Sequence, residues 1–271
     1  MTLQPLLNFK KVTLFFFLFS IISCSVDNNS SKKVSWNISD GEEYPEGSKL
    51  SRPEDGVMLN DGTLVVADQR YGLAKIDLSG KVSPFGNFEA LAYEHNPPVV
   101  ESGPNGVHLT PDKQYIITAD VFNGKIYKTS IQTNSSEIIY SHKYGANTAR
   151  EDSTGSLWFT QSTQNQNEER LFGALDKAIP DGALYRLPVS KDGTLSKPEL
   201  ILKNLYFANG FYIDEKRNKL YLSEMMKNRV LSFDLDISTG FLSNQTTLVV
   251  MPTPDNMELN SEGKLWVASP L

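Results

Sequence analysis

One stretch of the chain decides its fold: Phe207–Asp236, which reads FANGFYIDEKRNKLYLSEMMKNRVLSFDLD. Alternating apolar and polar residues in GFYID, KLYLSE and RVLSFDL predict short strands joined by polar turns. Asn209 and Gly210 stand directly before the first of these strands, although both residue types are depleted in strands and favoured in turns. An isolated Asn-Gly pair would indicate only a tight loop that leads into a strand.

The same phrase recurs along the chain. Each copy has a small-residue turn, a short alternating strand, a polar hairpin turn and a more apolar strand, as in RPEDGVMLNDGTLVVAD, GPNGVHLTPDKQYIITAD, GANTAREDSTGSLWFTQ and TPDNMELNSEGKLWVAS. We take the equivalent positions to be Asp55, Asn105, Asn147, Asn209 and Asn256, which are about 40–60 residues apart. Repeats of that period with four short strands each are typical of β-propeller blades.

The repeats predict an all-β fold, a six-bladed β-propeller with about five blades in this chain. The last phrase stops in mid-unit at LWVASPL, so we expect a C-terminal truncation, with a true five-bladed protein as the alternative. The one helix-like stretch, residues 167–178, lies in an insertion within the third unit. We interpret this insertion as a surface loop, with a lid over the channel mouth as the alternative.

The N-terminus has a different character. Lys10 and Lys11 precede the apolar run VTLFFFLFSIIS and then Cys24, which indicates a signal peptide too short to be a comfortable membrane span. Ile21–Cys24 resembles a bacterial lipobox, so we predict lipidation of Cys24, with an ordinary signal peptide as the alternative. The predicted domains are a signal peptide over 1–24, a polar tether over 25–45 and the propeller over 46–271. The protein is then exported and anchored by lipid in the bacterial cell envelope, on the periplasmic side.

Composition excludes several classes of function. The chain of 271 residues has a net charge of −6, which argues against nucleic-acid binding. Cys24 is its single cysteine, so the mature domain has no disulfide and no cysteine-based metal site. No nucleophile elbow, zinc-protease motif, phosphate loop or dinucleotide fingerprint occurs.

A turn repeated before the innermost strand of every blade places its side chains around the central channel. These side chains are Glu54, Asp55, Asn105, Asn147, Asn209, Asp255 and Asn256. They offer carboxylate and amide oxygens, which suit calcium or, less well, magnesium or manganese. The alternative is that Asn and Asp only shape the turns, where they are favoured in any case.

From Asn147 to Trp266 the sequence resembles the strictosidine synthase-like proteins, in GANTAREDSTGSLWFTQST, FANGFYID and PDNMELNSEGKLWVAS. The wider resemblance, over about residues 50–271, is to the six-bladed propellers that include gluconolactonase, regucalcin and the paraoxonases. The lactonase members hold a calcium ion in the channel, so the resemblance implies a calcium ion at the same place in this chain. Carried over by motif, its ligands are Glu54, Asn147, Asn209 and Asp255, with Asn256 as a further ligand.

The resemblance also implies a role for Asp255 as general base toward a metal-bound ester or lactone. Asn105 occupies the slot in which paraoxonases carry a histidine, and we expect it to contact substrate. His108 lies three residues further on, where alternation places it in a strand. Gly145 and Ala146 stand where gluconolactonases carry an arginine, which puts sugar-lactone specificity in doubt.

Three hypotheses follow for the function of the chain. The first is an exported, calcium-dependent hydrolase of lactones or related esters, acting on a small-molecule substrate. The second is a non-catalytic propeller that binds a ligand or a protein partner. The third is a metal-free enzyme of the strictosidine synthase-like type.

Overall fold

The computed structural model describes residues 41–47, 49–164 and 168–270. The predicted signal peptide, Cys24 and residues 25–40 of the tether lie outside these ranges. Within the described part of the chain, no helix is both long and apolar enough to cross a membrane.

The described residues form four antiparallel sheets of four strands and one pair of strands. The first sheet contains β1 (Gly56–Met58), β2 (Leu64–Asp68), β3 (Gly72–Ile76) and β4 (Val82–Phe85). The second contains β5 (Pro104–Leu109), β6 (Tyr115–Asp120), β7 (Lys125–Ser130) and β8 (Ser136–Ser141). The third contains β9 (Ala149–Glu151), β10 (Leu157–Gln161), β11 (Gly182–Leu187) and β12 (Glu199–Leu205). The fourth contains β13 (Ala208–Asp214), β14 (Lys219–Glu224), β15 (Arg229–Asp236) and β16 (Phe241–Val250), and the last pair is β17 (Met257–Leu259) with β18 (Leu265–Val267).

Each sheet is a blade whose strands follow one another in chain order, from the channel outward. The first strands of neighbouring blades contact each other: β1 contacts β5, β5 contacts β9, and β13 contacts β17. All five first strands line one cavity. The all-β propeller prediction is therefore confirmed, with four complete blades and two strands of a fifth among the described residues.

The predicted hairpin turns lie between the first and second strands of each blade. Gly62 and Gly263 have φ values of 81° and 74°, which L side chains rarely adopt, so glycine is favoured at both turns. The second strands are the apolar segments expected from the sequence, and together with the third strands they supply most of the core. Trp158 and Phe159 in β10 are fully buried, as predicted for the aromatic residues of the blades.

Buried acidic residues at the ends of the second strands position the segments that precede the first strands. Asp120 Oδ1 accepts the Gly103 N–H at 2.9 Å, two residues before Asn105. In the fourth blade, Glu224 Oε1 accepts the Tyr206 N–H at 2.9 Å, shortly before Asn209. These hydrogen bonds fix the direction in which the chain approaches the channel.

The insertion in the third blade carries the predicted helix, α1 (Glu168–Asp176). Leu171 and Ala174 of α1 are buried in a cluster with Val121, Phe122 and Phe207. Phe122 follows β6 and Phe207 precedes Asn209, so α1 packs at the end of the propeller where the first strands begin. Burial of this apolar face holds the helix on the surface of the propeller. The lid over the channel mouth stays a prediction.

Candidate functional site

Backbone hydrogen bonds define which residues of the repeated turns are equivalent. In the third blade, the Thr160 N–H donates to the Thr148 carbonyl at 2.9 Å. In the fifth, the Ala268 N–H donates to the Asn256 carbonyl at 2.8 Å. Thr148 and Asn256 therefore occupy the same position in their blades.

In the first blade this position belongs to Asp55, whose carbonyl accepts the Ala67 N–H at 2.9 Å. The sequence alignment of Asp55 and Asn256 with Asn147 is therefore wrong by one residue, because Asn147 corresponds to Glu54 in the first blade and to Asp255 in the fifth. The spacing of the repeats varies too widely for the sequence alone to reveal this shift.

The turns then form two layers along the channel. The upper layer is Glu54, Asn105, Asn147, Asn209 and Asp255. The lower layer is Asp55, Gly106, Thr148, Gly210 and Asn256.

The two Asn-Gly pairs lie in β-bulges. The first strand has one extra residue relative to its partner between Pro104 and Val107, and again between Ala208 and Phe211. A bulge of this kind re-aims side chains and is common next to functional sites. It explains how Asn-Gly stands inside a segment that is otherwise a strand.

The glycines of the lower layer are required by close approach of the next blade. A Cβ atom on Gly106 would lie 2.8 Å from the Cα atom of Thr148, and one on Gly210 would lie 2.6 Å from the Cα atom of Asn256. The space left free lets the Thr148 hydroxyl donate to Asn256 Oδ1 at 3.1 Å, from the third blade to the fifth. Gly106 and Gly210 thus allow the blades to meet closely at the channel.

On one side of the upper layer, the amide groups are hydrogen-bonded to one another. Arg52 Nη2 donates to Asn105 Oδ1 at 3.2 Å, and Asn105 Nδ2 donates to Asn147 Oδ1 at 3.2 Å. The Thr148 hydroxyl also lies 3.1 Å from Asn147 Oδ1. Both polar atoms of Asn105, the predicted substrate contact, are therefore engaged within the protein.

On the other side of the upper layer, two oxygen atoms are buried without a hydrogen-bond partner: Asn209 Oδ1 and Asp255 Oδ1. Asn209 and Asp255 are only 4% and 7% exposed. The Asn209 amide nitrogen lies 3.6 Å from Met225 Sδ, so its oxygen is turned away from that side chain. Most buried polar atoms in proteins are paired, so this pair of oxygens points to a ligand.

The carboxyl groups of the two layers repel one another. Burial raises the pKa of Asp255 well above its usual value, and the charges of Glu54 and Asp55 raise it further. Burial also raises the pKa of Glu54, while the charge of Arg52 opposes this rise. Both groups are thus held in surroundings that disfavour their ionised forms unless a positive charge is present.

Asp55 forms a contact that the sequence did not indicate. Its carboxylate accepts the N–H groups of Gly56 at 2.8 Å and Val107 at 3.0 Å, and Oδ2 lies 3.5 Å from His108 Nε2. Burial and the nearby Arg150 lower the pKa of His108 well below its usual value, so its imidazole is neutral near pH 7. His108 lies in β5, as the alternation predicted, but it faces the carboxylate across the blade boundary.

A cavity of about 960 Å³ continues from the lower layer along the first strands of all five blades. Polar side chains on its wall include His108, Arg150, Tyr212 and Glu258. Arg150 donates to Glu258 Oε2 at 2.8 Å and to the Met257 carbonyl at 2.9 Å, which ties the third blade to the fifth. The channel therefore has room for a small molecule next to the layered turns.

The donor set of the upper layer fits a hard divalent cation. Glu54 and Asp255 supply two negative charges, and amide oxygens supply neutral ligands. Among the residues that the structure describes, no group of three or more His, Cys, Asp and Glu is placed to hold a metal ion. A metal here would depend on the amides, above all on the unpartnered oxygen of Asn209.

Residues 136–270 match the family model described as SMP-30/Gluconolactonase/LRE-like region. Regucalcin of Danio rerio is 33% identical over 94 residues, which make up 33% of this chain and 30% of that protein. Strictosidine synthase of Catharanthus roseus is 25% identical over 146 residues, 53% of this chain and 39% of that protein. The matched part thus spans well under half the length of these curated relatives.

Among solved structures, a gluconolactonase from Xanthomonas campestris has a TM-score of 0.60 at 18% identity, covering 82% of this chain and 71% of that one. A calcium-binding protein, regucalcin, from Agrobacterium tumefaciens has a TM-score of 0.55 at 15% identity, covering 80% and 67%. These likenesses support the propeller fold. The family resemblance drawn from the sequence is confirmed.

The close approach of the blades predicts a strong effect of Gly210→Ala. Because the new Cβ would meet the backbone of Asn256, we expect a loss of about 1–3 kcal/mol in the free energy of unfolding, measured by urea denaturation. Gly173→Ala in α1 is the matched control, since a Cβ atom added at Gly173 would have no neighbouring atom within 4 Å. Equal losses in the two variants would contradict the role given to Gly210.

The lower-layer carboxylate predicts a dependence of stability on pH. Burial raises the pKa of Asp55 from 3.8 to about 6, so between these values the folded state binds more protons than the unfolded state. With chelator present, the free energy of unfolding should therefore fall as pH rises from 3.8 to about 6, and Asp55 should contribute up to about 3 kcal/mol of this fall. In Asp55→Asn the fall should be smaller. An unchanged slope in the variant would show that Asp55 is not the cause.

Proposed function

We propose that this chain, whose residues 136–270 belong to the SMP-30/gluconolactonase/LRE-like family, is a calcium-dependent hydrolase of lactones or related esters. The observation that carries the proposal is the pair of buried, unpartnered oxygens, Asn209 Oδ1 and Asp255 Oδ1. Leaving a buried polar atom unsatisfied costs about 1–3 kcal/mol, and a cation between them would remove that cost.

Glu54 and Asp255 would balance the charge of the ion, and Asn209 and Asn147 would add amide oxygens. Asn256 lies one layer lower, with its Oδ1 bonded to Thr148, so it is the least suited of the predicted ligands. Calcium is the first choice because it accepts mixed carboxylate and amide ligands in flexible geometry, whereas magnesium demands a near-ideal octahedron. The calcium-binding regucalcin of Agrobacterium tumefaciens supports the same choice.

When bound, the ion would polarise the carbonyl oxygen of an ester or lactone. Asp255 is our choice for the general base, through the carboxylate oxygen that the ion would not occupy. The cavity along the first strands would hold the remainder of the substrate.

The similarity to a gluconolactonase supports lactones as the substrate class. Sugar lactones are not part of the proposal, since Gly145 and Ala146 replace the arginine expected before Asn147. Esters and lactones without hydroxyl groups belong in the first screen.

Calcium should raise the melting temperature of the chain relative to chelator. An ion at about a hundred times its dissociation constant stabilises the folded state by roughly 2.7 kcal/mol. Asp255→Ala and Asn209→Ala should abolish the shift, whereas Asn60→Ala, at an exposed turn residue, should keep it. Hydrolysis of a lactone and aryl-ester panel should fall by about 100-fold or more in Asp255→Ala, as expected for loss of a general base.

The outcomes separate the three hypotheses. A cooperative melt that calcium does not shift would sink the calcium-dependent hydrolase. Turnover that chelator leaves unchanged would favour the metal-free, strictosidine synthase-like alternative. A calcium shift without turnover of any substrate would favour a propeller that binds a ligand or partner.

We extend the proposal to the location of the protein, which would be exported and held in the cell envelope by lipid on Cys24. The charged and apolar run before Cys24 supports this. After expression in a bacterium, the full chain should partition into the detergent phase of a Triton X-114 extract. Cys24→Ser should move it to the aqueous phase and Ser25→Ala should not. Equal partitioning of wild type and Cys24→Ser would refute the anchor.

A further inference from the structure

Arg52 stands at the mouth of the channel in an unusual backbone conformation. Its φ of 47° lies in the left-handed region, which costs a residue other than glycine about 1–3 kcal/mol. The side chain crosses to the second blade, where Nη1 donates to the Pro104 carbonyl at 3.3 Å and Nη2 to Asn105 Oδ1 at 3.2 Å. The guanidinium also lies 5.0 Å from the centre of the Phe122 ring. These contacts hold the residue in a conformation that glycine would adopt more easily.

The contact with Asn105 decides the orientation of two amides. A guanidinium group is a donor only, so the atom of Asn105 that it meets must be the oxygen. The Asn105 NH₂ group is then turned toward Asn147, with Nδ2 lying 3.2 Å from Oδ1 and 3.3 Å from the backbone carbonyl. Asn147 must in turn present its oxygen to the Asn105 NH₂ group.

We propose that Arg52 is a positioning residue. Through Asn105 it fixes the orientation of the Asn147 amide, whose oxygen is an expected ligand of the cation. The proposal rests on the calcium site of the proposed function for its effect on cation binding. The orientation of the amides itself exists without the cation. Without Arg52, only the two oxygens of Asn147 hold the Asn105 amide, so Asn105 reverses more readily. A reversed Asn105 presents its oxygen to Asn147, and the Asn147 amide then loses the donor that fixes its own oxygen.

A second role for Arg52 makes the opposite prediction. Its positive charge opposes the raised pKa values of Glu54 and Asp255. If Arg52 acted only by compensating these carboxylates, its removal would strengthen cation binding, because two negative charges would lose a competing partner. The direction of the change in calcium affinity therefore distinguishes positioning from compensation.

The test compares Arg52→Met, Arg52→Gly and Arg52→Lys with Arg217→Met as control. Arg52→Gly suits the left-handed conformation, so it remains folded even if Arg52→Met does not. Arg217 is an exposed arginine bonded to Asp214 and to the Gly263 carbonyl, away from the upper layer. Calcium affinity is measured by titration calorimetry on the full chain, and exchange of the Asn105 side-chain amide protons by NMR without calcium.

We expect Arg52→Met and Arg52→Gly to weaken calcium binding by about tenfold or more, as for other residues that orient metal ligands. The Asn105 amide protons should exchange about tenfold faster, because their partner is no longer fixed. Arg52→Lys should restore part of both properties, and Arg217→Met should change neither.

Unchanged or tighter calcium binding in Arg52→Met and Arg52→Gly would overturn the proposal, as would unchanged exchange of the Asn105 amide protons. If the wild-type chain binds no calcium, the proposed function fails. The exchange measurement then still decides whether Arg52 orients the amides.

Discussion

The channel of this propeller depends on how closely the first strands of neighbouring blades approach each other. At the lower layer the distance is so short that Gly106 and Gly210 must lack side chains, because a Cβ atom would meet the backbone of Thr148 or Asn256. This constraint explains the alternation around the ring, in which glycine in the second and fourth blades makes room for Thr148 and Asn256 in the third and fifth. The bulge that admits the close approach turns the preceding side chain toward the channel.

Close approach concentrates polar groups in a buried space, and this has an energetic cost. Two carboxyl groups, Glu54 and Asp255, stand in the upper layer with raised pKa values, and Asp55 lies directly below. Arg52 compensates part of this charge from the channel mouth. The Asn105 amide accepts from Arg52 and donates to Asn147 Oδ1, but Asn209 and Asp255 each keep an oxygen without a partner. Such an arrangement is expected where a site is organised for binding rather than for stability.

The sequence predicted the blades well, because hairpins are local and their alternating pattern is repeated along the chain. It also pointed to Asn105, Asn147, Asn209 and Asp255 as residues facing the channel. The register of the turns was wrong by one residue in the first and fifth blades, since it depends on ladder hydrogen bonds such as that between Asp55 and Ala67. Contacts between blades could not be predicted at all. Arg52 with Asn105, and Asp55 with His108, join residues more than 50 positions apart through geometry that no local pattern encodes. The packing of α1 on Val121, Phe122 and Phe207 is of the same kind.

The central claim is that the unpartnered oxygens of the upper layer form one half of a calcium site. A high-resolution crystal structure of the chain grown in calcium tests it most directly. The account predicts one strong peak in the channel, bonded at about 2.3–2.6 Å to Asn209 Oδ1 and Asp255 Oδ1, with a Glu54 oxygen completing the charge balance. A structure in which these two oxygens instead accept hydrogen bonds from protein or water, with no ion between them, would contradict it.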